Sequence, residues 1–234
     1  MVTKLSISEI AAKLDKPFTM ANVAFVSDIV VSVYICQGTL AWHRHLDIDE
    51  LFWVYKGTML LESEWGDVRL QPGELAVVPK GVGHRSSAGS PATVMLLRCG
   101  FVPKRKNGRR RLYALPGENK LKRVSLPETA QALAWPFRFR TVARVDGSAV
   151  QVAWGVGTWP VGIPDFHEKL LFVLKGTATV RTAEHMLHLH DGDFTVLPQG
   201  AVFQLSTTQG TAMARLVRED RASLQHQGGL PEDE

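Results

Sequence analysis

Three histidines and one glutamate, His43, His45, Glu50 and His84, stand at spacings from which a metal-binding pocket can be built. His43 and His45 flank Arg44. In an extended strand alternate side chains share a face, so the two imidazoles point one way and the guanidinium the other. A turn over Leu46, Asp47, Ile48 and Asp49 would fold the chain back and set Glu50 on a neighbouring strand. Three neutral imidazoles and a carboxylate suit one divalent first-row transition metal (Fe, Mn, Ni, Zn or Cu) and leave positions open for water or substrate. Surface histidines at alternate strand positions would account for a lone His-x-His. They do not account for four ligands on segments separated by Gly57, Gly73, Pro79 and Gly81.

The elements that must hold these residues read as a short helix followed by many brief strands. Ser6 and Glu9 have the spacing of a capping box, with Ile7, Ile10, Ala11 and Leu14 at helical intervals behind them, which predicts a helix over residues 7–14 ending before Pro17. From Val23 onward, β-branched runs broken by Gly and Pro predict strands over 29–35, 38–43, 50–55, 58–62, 68–70, 75–78 and 94–99.

The same text then returns at a constant offset of 119 residues. Ser6 to Glu9 reappears as Ser125 to Glu128, Pro17-Phe18 as Pro136-Phe137, Gly38-Thr39 as Gly157-Thr158, and Lys56-Gly57-Thr58 as Lys175-Gly176-Thr177. Gly73, Pro79 and Gly81 return as Gly192, Pro198 and Gly200, so the chain is a tandem duplication. The four ligand positions fall on Gly162, Pro164, Lys169 and Phe203, none of which suits a cation, and a lysine in place of Glu50 would repel one. His167 is out of ligand register and its neighbour Glu168 falls opposite Asp49. His188 and His190 align with Arg69 and Gln71 and are expected to be surface or hydrogen-bonded side chains, and His185 and His226 carry no signal.

With six residues between Glu50 and Gly57, and with Gly73, Pro79, Gly81 and His84 following, the first copy resembles the two motifs of the cupin superfamily. Gly38 stands one residue nearer His43 than the usual pattern, and Ala88 occupies a position where the family often has Asn. The resemblance implies an all-β fold of two tandem jelly-roll (double-stranded β-helix) barrels, each preceded by a short helix, with the metal inside only the first. On that basis residues 1–103 are the metal-binding barrel, 104–124 a basic linker, 125–220 a barrel without ligands and 221–234 a mobile tail.

A divalent ion with one carboxylate and three neutral imidazoles carries a net charge of about +1, so among apolar strands it should favour an anionic, oxygen-rich small molecule. Such a centre fits a dioxygenase of the bicupin kind. It also fits a Lewis-acid isomerase or decarboxylase, for which Tyr34 is the one candidate proton carrier, and a sensor or store that binds without turnover. Arg44 and Arg85 should point out of the barrel, and Trp42 and Trp53 should pack on the helix or the sister barrel.

The net charge of +4 is concentrated in Lys104, Arg105, Lys106, Arg109, Arg110, Arg111, Lys120, Lys122 and Arg123. Without aromatic interleaving or a helix-turn-helix pattern, this cluster is expected to be a solvated linker rather than a nucleic-acid surface. No apolar run reaches membrane-span length and the start lacks a signal-peptide core, so a cytoplasmic protein is the expectation. Cys36 and Cys99 suit two buried thiols or one disulfide. Open sheet edges favour further pairing, so a homodimer is expected.

Overall fold

A computed structural model describes residues 2–100, 120–159 and 166–219. Most of the basic segment, Gly162, Pro164, His226 and the tail lie outside the described residues. The first repeat runs β1 (Leu5–Ser6), α1 (Ile7–Ala11), β2 (Ala21–Val26), β3 (Ile29–Thr39), β4 (Glu50–Lys56), β5 (Met59–Ser63), β6 (Val68–Leu70), β7 (Glu74–Val78) and β8 (His84–Cys99). The second runs β9 (Val124–Ser125), α2 (Leu126–Gln131), β10 (Arg140–Val145), β11 (Ser148–Trp159), β12 (Lys169–Lys175), β13 (Ala178–Arg181), β14 (Met186–Leu189), β15 (Asp193–Leu197) and β16 (Gln204–Arg218).

Each repeat builds one eight-stranded antiparallel sheet that curls into a barrel. The curling strand of the first is β8. Its second half pairs with β3 and β4, while its first half pairs with β5 and the end of β3, so one strand serves both walls. The duplication is visible in the backbone: β-bulges interrupt the ladder after Asn22 and after Thr141, after Cys36 and after Gly155, and after Val54 and after Val173. Phe18 and Phe137 share the same left-handed backbone, each with φ of 58°.

The two sheets exchange their first strands. β1 pairs with β15 in the second barrel, Leu5 opposite Phe194, and β9 pairs with β7 in the first, Val124 opposite Leu75. Beyond each arm the amide of Ile7 donates to the Gly192 carbonyl at 3.1 Å, and that of Leu126 to the Gly73 carbonyl at 2.9 Å. The helix starts depart from expectation. Neither Ser6 nor Ser125 makes a side-chain cap; each lies in a strand paired with the sister barrel. The helix is also shorter than residues 7–14, ending at Ala11.

Strand parity sorts the apolar residues into three cores. On β4, Leu51 and Trp53 face the other barrel whereas Phe52 and Val54 face inward, and β7 and β8 divide in the same way. Being buried on both faces, these strands read as continuous apolar runs rather than alternating ones. The shared core contains Ile7, Leu51, Trp53, Met95, Leu126, Phe172 and Phe194. The rings of Trp53 and Phe172, which occupy the same position of the two repeats, lie 4.6 Å apart. Asp49 and Asp146 add a polar clasp at the junction, each carboxylate accepting the other's backbone amide at 3.2 and 3.0 Å. Among the described residues no helix is long and apolar enough to cross a membrane.

Candidate metal centre

β3 ends at Thr39, so the expected strand over 38–43 does not form as one piece. The chain leaves the ladder over residues 40–42 and returns as a single antiparallel bridge, in which His43 and His84 exchange backbone hydrogen bonds of 3.0 and 2.9 Å. His45 is fixed two residues later, its carbonyl accepting the Gly81 amide at 2.6 Å. The following turn is tied down by Asp49, whose Oδ1 accepts the Lys80 amide at 2.9 Å. Glu50 then opens β4, paired across to Val78 on one side and Arg98 on the other.

These connections bring His43, His45, Glu50 and His84 together, with their potential ligand atoms within 4.8 Å of one another. Glu50 Oε2 lies 2.9 Å from His84 Nε2, 3.2 Å from His45 Nε2 and 4.0 Å from His43 Nε2. Neighbouring donors on an ion with bonds of ~2.1 Å stand about 3 Å apart, so these separations suit a shared cation. The tautomers suit it too. His43 Nδ1 lies 2.9 Å from the Ala41 carbonyl and His84 Nδ1 lies 3.1 Å from the Val82 carbonyl. A carbonyl only accepts, so each Nδ1 carries a proton and each Nε2 is turned to the centre, able to ligate an ion once unprotonated. His45 Nε2 is buried without a hydrogen-bond partner: Glu50 is near but off-angle, and an ion would satisfy this nitrogen.

Burial alone would raise the Glu50 carboxyl. The contacts and charges of His45 and His84 outweigh it and hold the group well below the usual carboxylate range. Its second oxygen, Oε1, is 3.3 Å from Arg98 Nη1, and Arg98 Nη2 reaches the Met20 sulfur at 3.6 Å. Arg98 escapes a search for ligand types because it lies at the far end of β8. The signal for it is parity: Val94 and Leu96 face into the barrel, and the next inward position is an arginine.

Other residues singled out by the sequence fall as follows. Arg44 points away from the centre to Glu64 at 2.6 Å, and Arg85 makes a two-pronged pair with Glu62, both bonds 2.7 Å. Trp53 packs on the sister barrel, but Trp42 does not: it is 47% exposed, with the Arg85 guanidinium 5.5 Å from its ring centre. Tyr34 is buried inside the first barrel. Cys36 and Cys99 are free thiols near opposite ends of β3's pairing with β8, Cys36 opposite Ala92 and Cys99 opposite Ile29.

In the second barrel the Lys169 ammonium lies 5.5 Å from the Phe203 ring centre, so two former ligand positions meet as a cation on an aromatic face. His188 Nδ1 is 3.1 Å from Thr179 Oγ1, and His185 Nδ1 is 3.9 Å from Glu184. Among the described residues the four side chains of the first barrel are the one group gathered as a metal would require.

Comparison with known proteins places this geometry. A family profile described as a cupin domain matches residues 32–98. The "Putative dioxygenase SSO1533" of Saccharolobus solfataricus is 25% identical over 96 residues, 40% of this chain and 25% of that protein. The "Uncharacterized protein YdbB" of Bacillus subtilis is 30% identical over 78 residues, 33% of this chain and 69% of that protein. This chain therefore spans only about a quarter of the archaeal relative's length. Among solved structures, a cupin 2 conserved barrel domain protein from Leptotrichia buccalis superposes with a TM-score of 0.71 at 8% identity, covering 93% of this chain and 96% of its own. A salicylate 1,2-dioxygenase from Pseudaminobacter salicylatoxidans does so with a TM-score of 0.71 at 12% identity, covering 97% of this chain and 86% of its own. At such identities the superpositions speak for the fold alone. On these grounds the chain belongs to the cupin superfamily, as a protein of two tandem jelly-roll barrels.

Proposed function

We propose that the first barrel binds one divalent first-row transition metal through His43, His45, Glu50 and His84, and that the protein is a dioxygenase-type enzyme acting on a small anionic, oxygen-rich molecule. The observation that carries this reading is the convergence of three imidazole nitrogens and one carboxylate oxygen, all within 4.8 Å of one another. An ion bound there would supply Lewis-acid activation of a chelated oxygen and, in a redox-active form, electrons for dioxygen chemistry.

The chain's own residues would do the rest. Backbone carbonyls hold two imidazoles in the right tautomer, and Glu50 neutralises part of the ion's charge. Arg98 adds a positive charge beside the pocket and so favours an anion. Phe52, whose ring centre is 5.7 Å from that of His84, and buried Val82 keep the inner wall dry. The name of the archaeal relative supports oxygenase chemistry over other metal chemistry. Tyr34 disfavours isomerisation. Burial above all pushes its hydroxyl well above the ordinary tyrosine value, and it donates to the Met59 sulfur at 3.6 Å, a poor arrangement for shuttling a proton.

Elemental analysis of protein purified without an affinity tag tests the metal. About one ion per chain is expected, lost in His45→Ala and Glu50→Gln variants that keep wild-type circular dichroism. Ions retained in both variants would overturn the assignment. Oxygen uptake with gentisate, salicylate and pentane-2,4-dione then tests the reaction: turnover supports the enzyme, whereas saturable binding without uptake would make the protein a binding module.

A further inference from the structure

Besides the four candidate ligands, three further inward positions of the first barrel are polar: Tyr34 and Cys36 on β3 and Ser86 on β8, each 0–1% exposed. Polar groups placed in an apolar core cost stability unless they are hydrogen-bonded. These are poorly bonded. Ser86 Oγ makes no hydrogen bond of good geometry, although it lies close to the Tyr34 hydroxyl and the Cys36 thiol. Tyr34 reaches the Met59 sulfur, a weak acceptor. Burial pushes the Cys36 thiol up to about 11, so it stays neutral.

The second barrel shows that the fold does not need this polarity. At the same offset it carries Ala153, Gly155 and Leu205 at the three positions, and Ala178 in place of Met59. Leu205 and Ala178 belong to that barrel's apolar core. Thus at these three positions the barrel with the His and Glu set is polar, and the barrel without that set is not. Ser86 follows His84 by two residues on the same face of β8, about 7 Å along the strand, roughly the span of one six-membered ring.

We propose that Tyr34, Ser86 and Cys36 form the floor of the site, a subsite that hydrogen-bonds the distal oxygen of a small hydroxylated acid whose other end is chelated at His43, His45, Glu50 and His84. This rests on the reading of that centre as a binder of anions. Its ligand class is an acid of single-ring size with a hydroxyl opposite the chelating pair.

Gentisate and salicylate are suitable probes, because they differ only in such a ring hydroxyl. Calorimetric titration of the metal-loaded full chain is expected to show gentisate bound about tenfold more tightly, the equivalent of one well-placed hydrogen bond. Tyr34→Phe and Ser86→Ala are each expected to bring that ratio within about twofold, with the loss falling on gentisate and with metal content and melting temperature retained. Equal affinity in the wild type, or a ratio unchanged in both variants, would overturn the floor while leaving the anion-binding centre in place. Failure of both acids to bind would remove the anion reading and the floor together.

Discussion

Glu50 divides its two oxygens between different tasks. Oε2 faces the imidazoles, and Oε1 faces Arg98 at 3.3 Å. That division fixes the rotation of the carboxylate, so one oxygen is presented to the centre while the other is occupied. A ligand held this way loses less freedom on binding an ion, and outer partners of this kind typically contribute a factor of about 10–100 to metal affinity. Replacing Arg98 with Leu should therefore weaken metal binding by about that factor, measured by competition with a chelator of known affinity. Unchanged affinity would mean that Arg98 acts on the bound anion alone.

At the scale of elements, the arms and the turns that receive them set the geometry. Gly73 and Gly192 both have φ of +81°, and both lie where the sister barrel's arm arrives. A Cβ on Gly73 would stand 2.9 Å from Pro127, and one on Gly192 would run into the Tyr55 hydroxyl. Gly192→Ala should cost about 1–3 kcal/mol from backbone strain and overpacking together, read from the urea midpoint. Gly66→Ala is the control: its φ is +91° but it has open space around it, so it should cost less. Equal losses would show that strain alone matters.

Much at this scale was legible in the sequence. His43, His45, Glu50 and His84 are found together because ligand types at fixed spacings survive without knowledge of the fold, and the 119-residue offset exposes the duplication. The arms were not legible, since Leu5–Ser6 and Val124–Ser125 are two-residue strands whose only signal is a partner far away in the chain. The first half of β8 was missed for another reason. From His84 to Pro91 it is polar and glycine-containing, and it is a strand because it carries the chain from one wall of the barrel to the other. Ser6 and Glu9 have the spacing of a cap but not its role, since Ser6 lies in the arm strand paired with Asp193.

The whole molecule is held by the core that both barrels share. Trp53 and Phe172, equivalent in the repeat, meet there as 3% and 2% exposed rings. Trp53→Ala should lose about 3–5 kcal/mol, and because the core belongs to both halves it should destabilise them together. Scanning calorimetry should give one transition in the wild type and one at lower temperature in the variant. Two separated transitions would show that the halves unfold independently.

The exchange of arms has a further consequence for what the ligand-free repeat is able to lose. Val124 and Ser125 lie along β7, which in turn lies along β4, the strand that begins with Glu50. The second half carries none of the four candidate ligands at the matching positions, yet it still lends two residues of backbone to the wall behind the proposed ion site. Damage to that loan would surface as a displaced Glu50 in a barrel whose own sequence is intact.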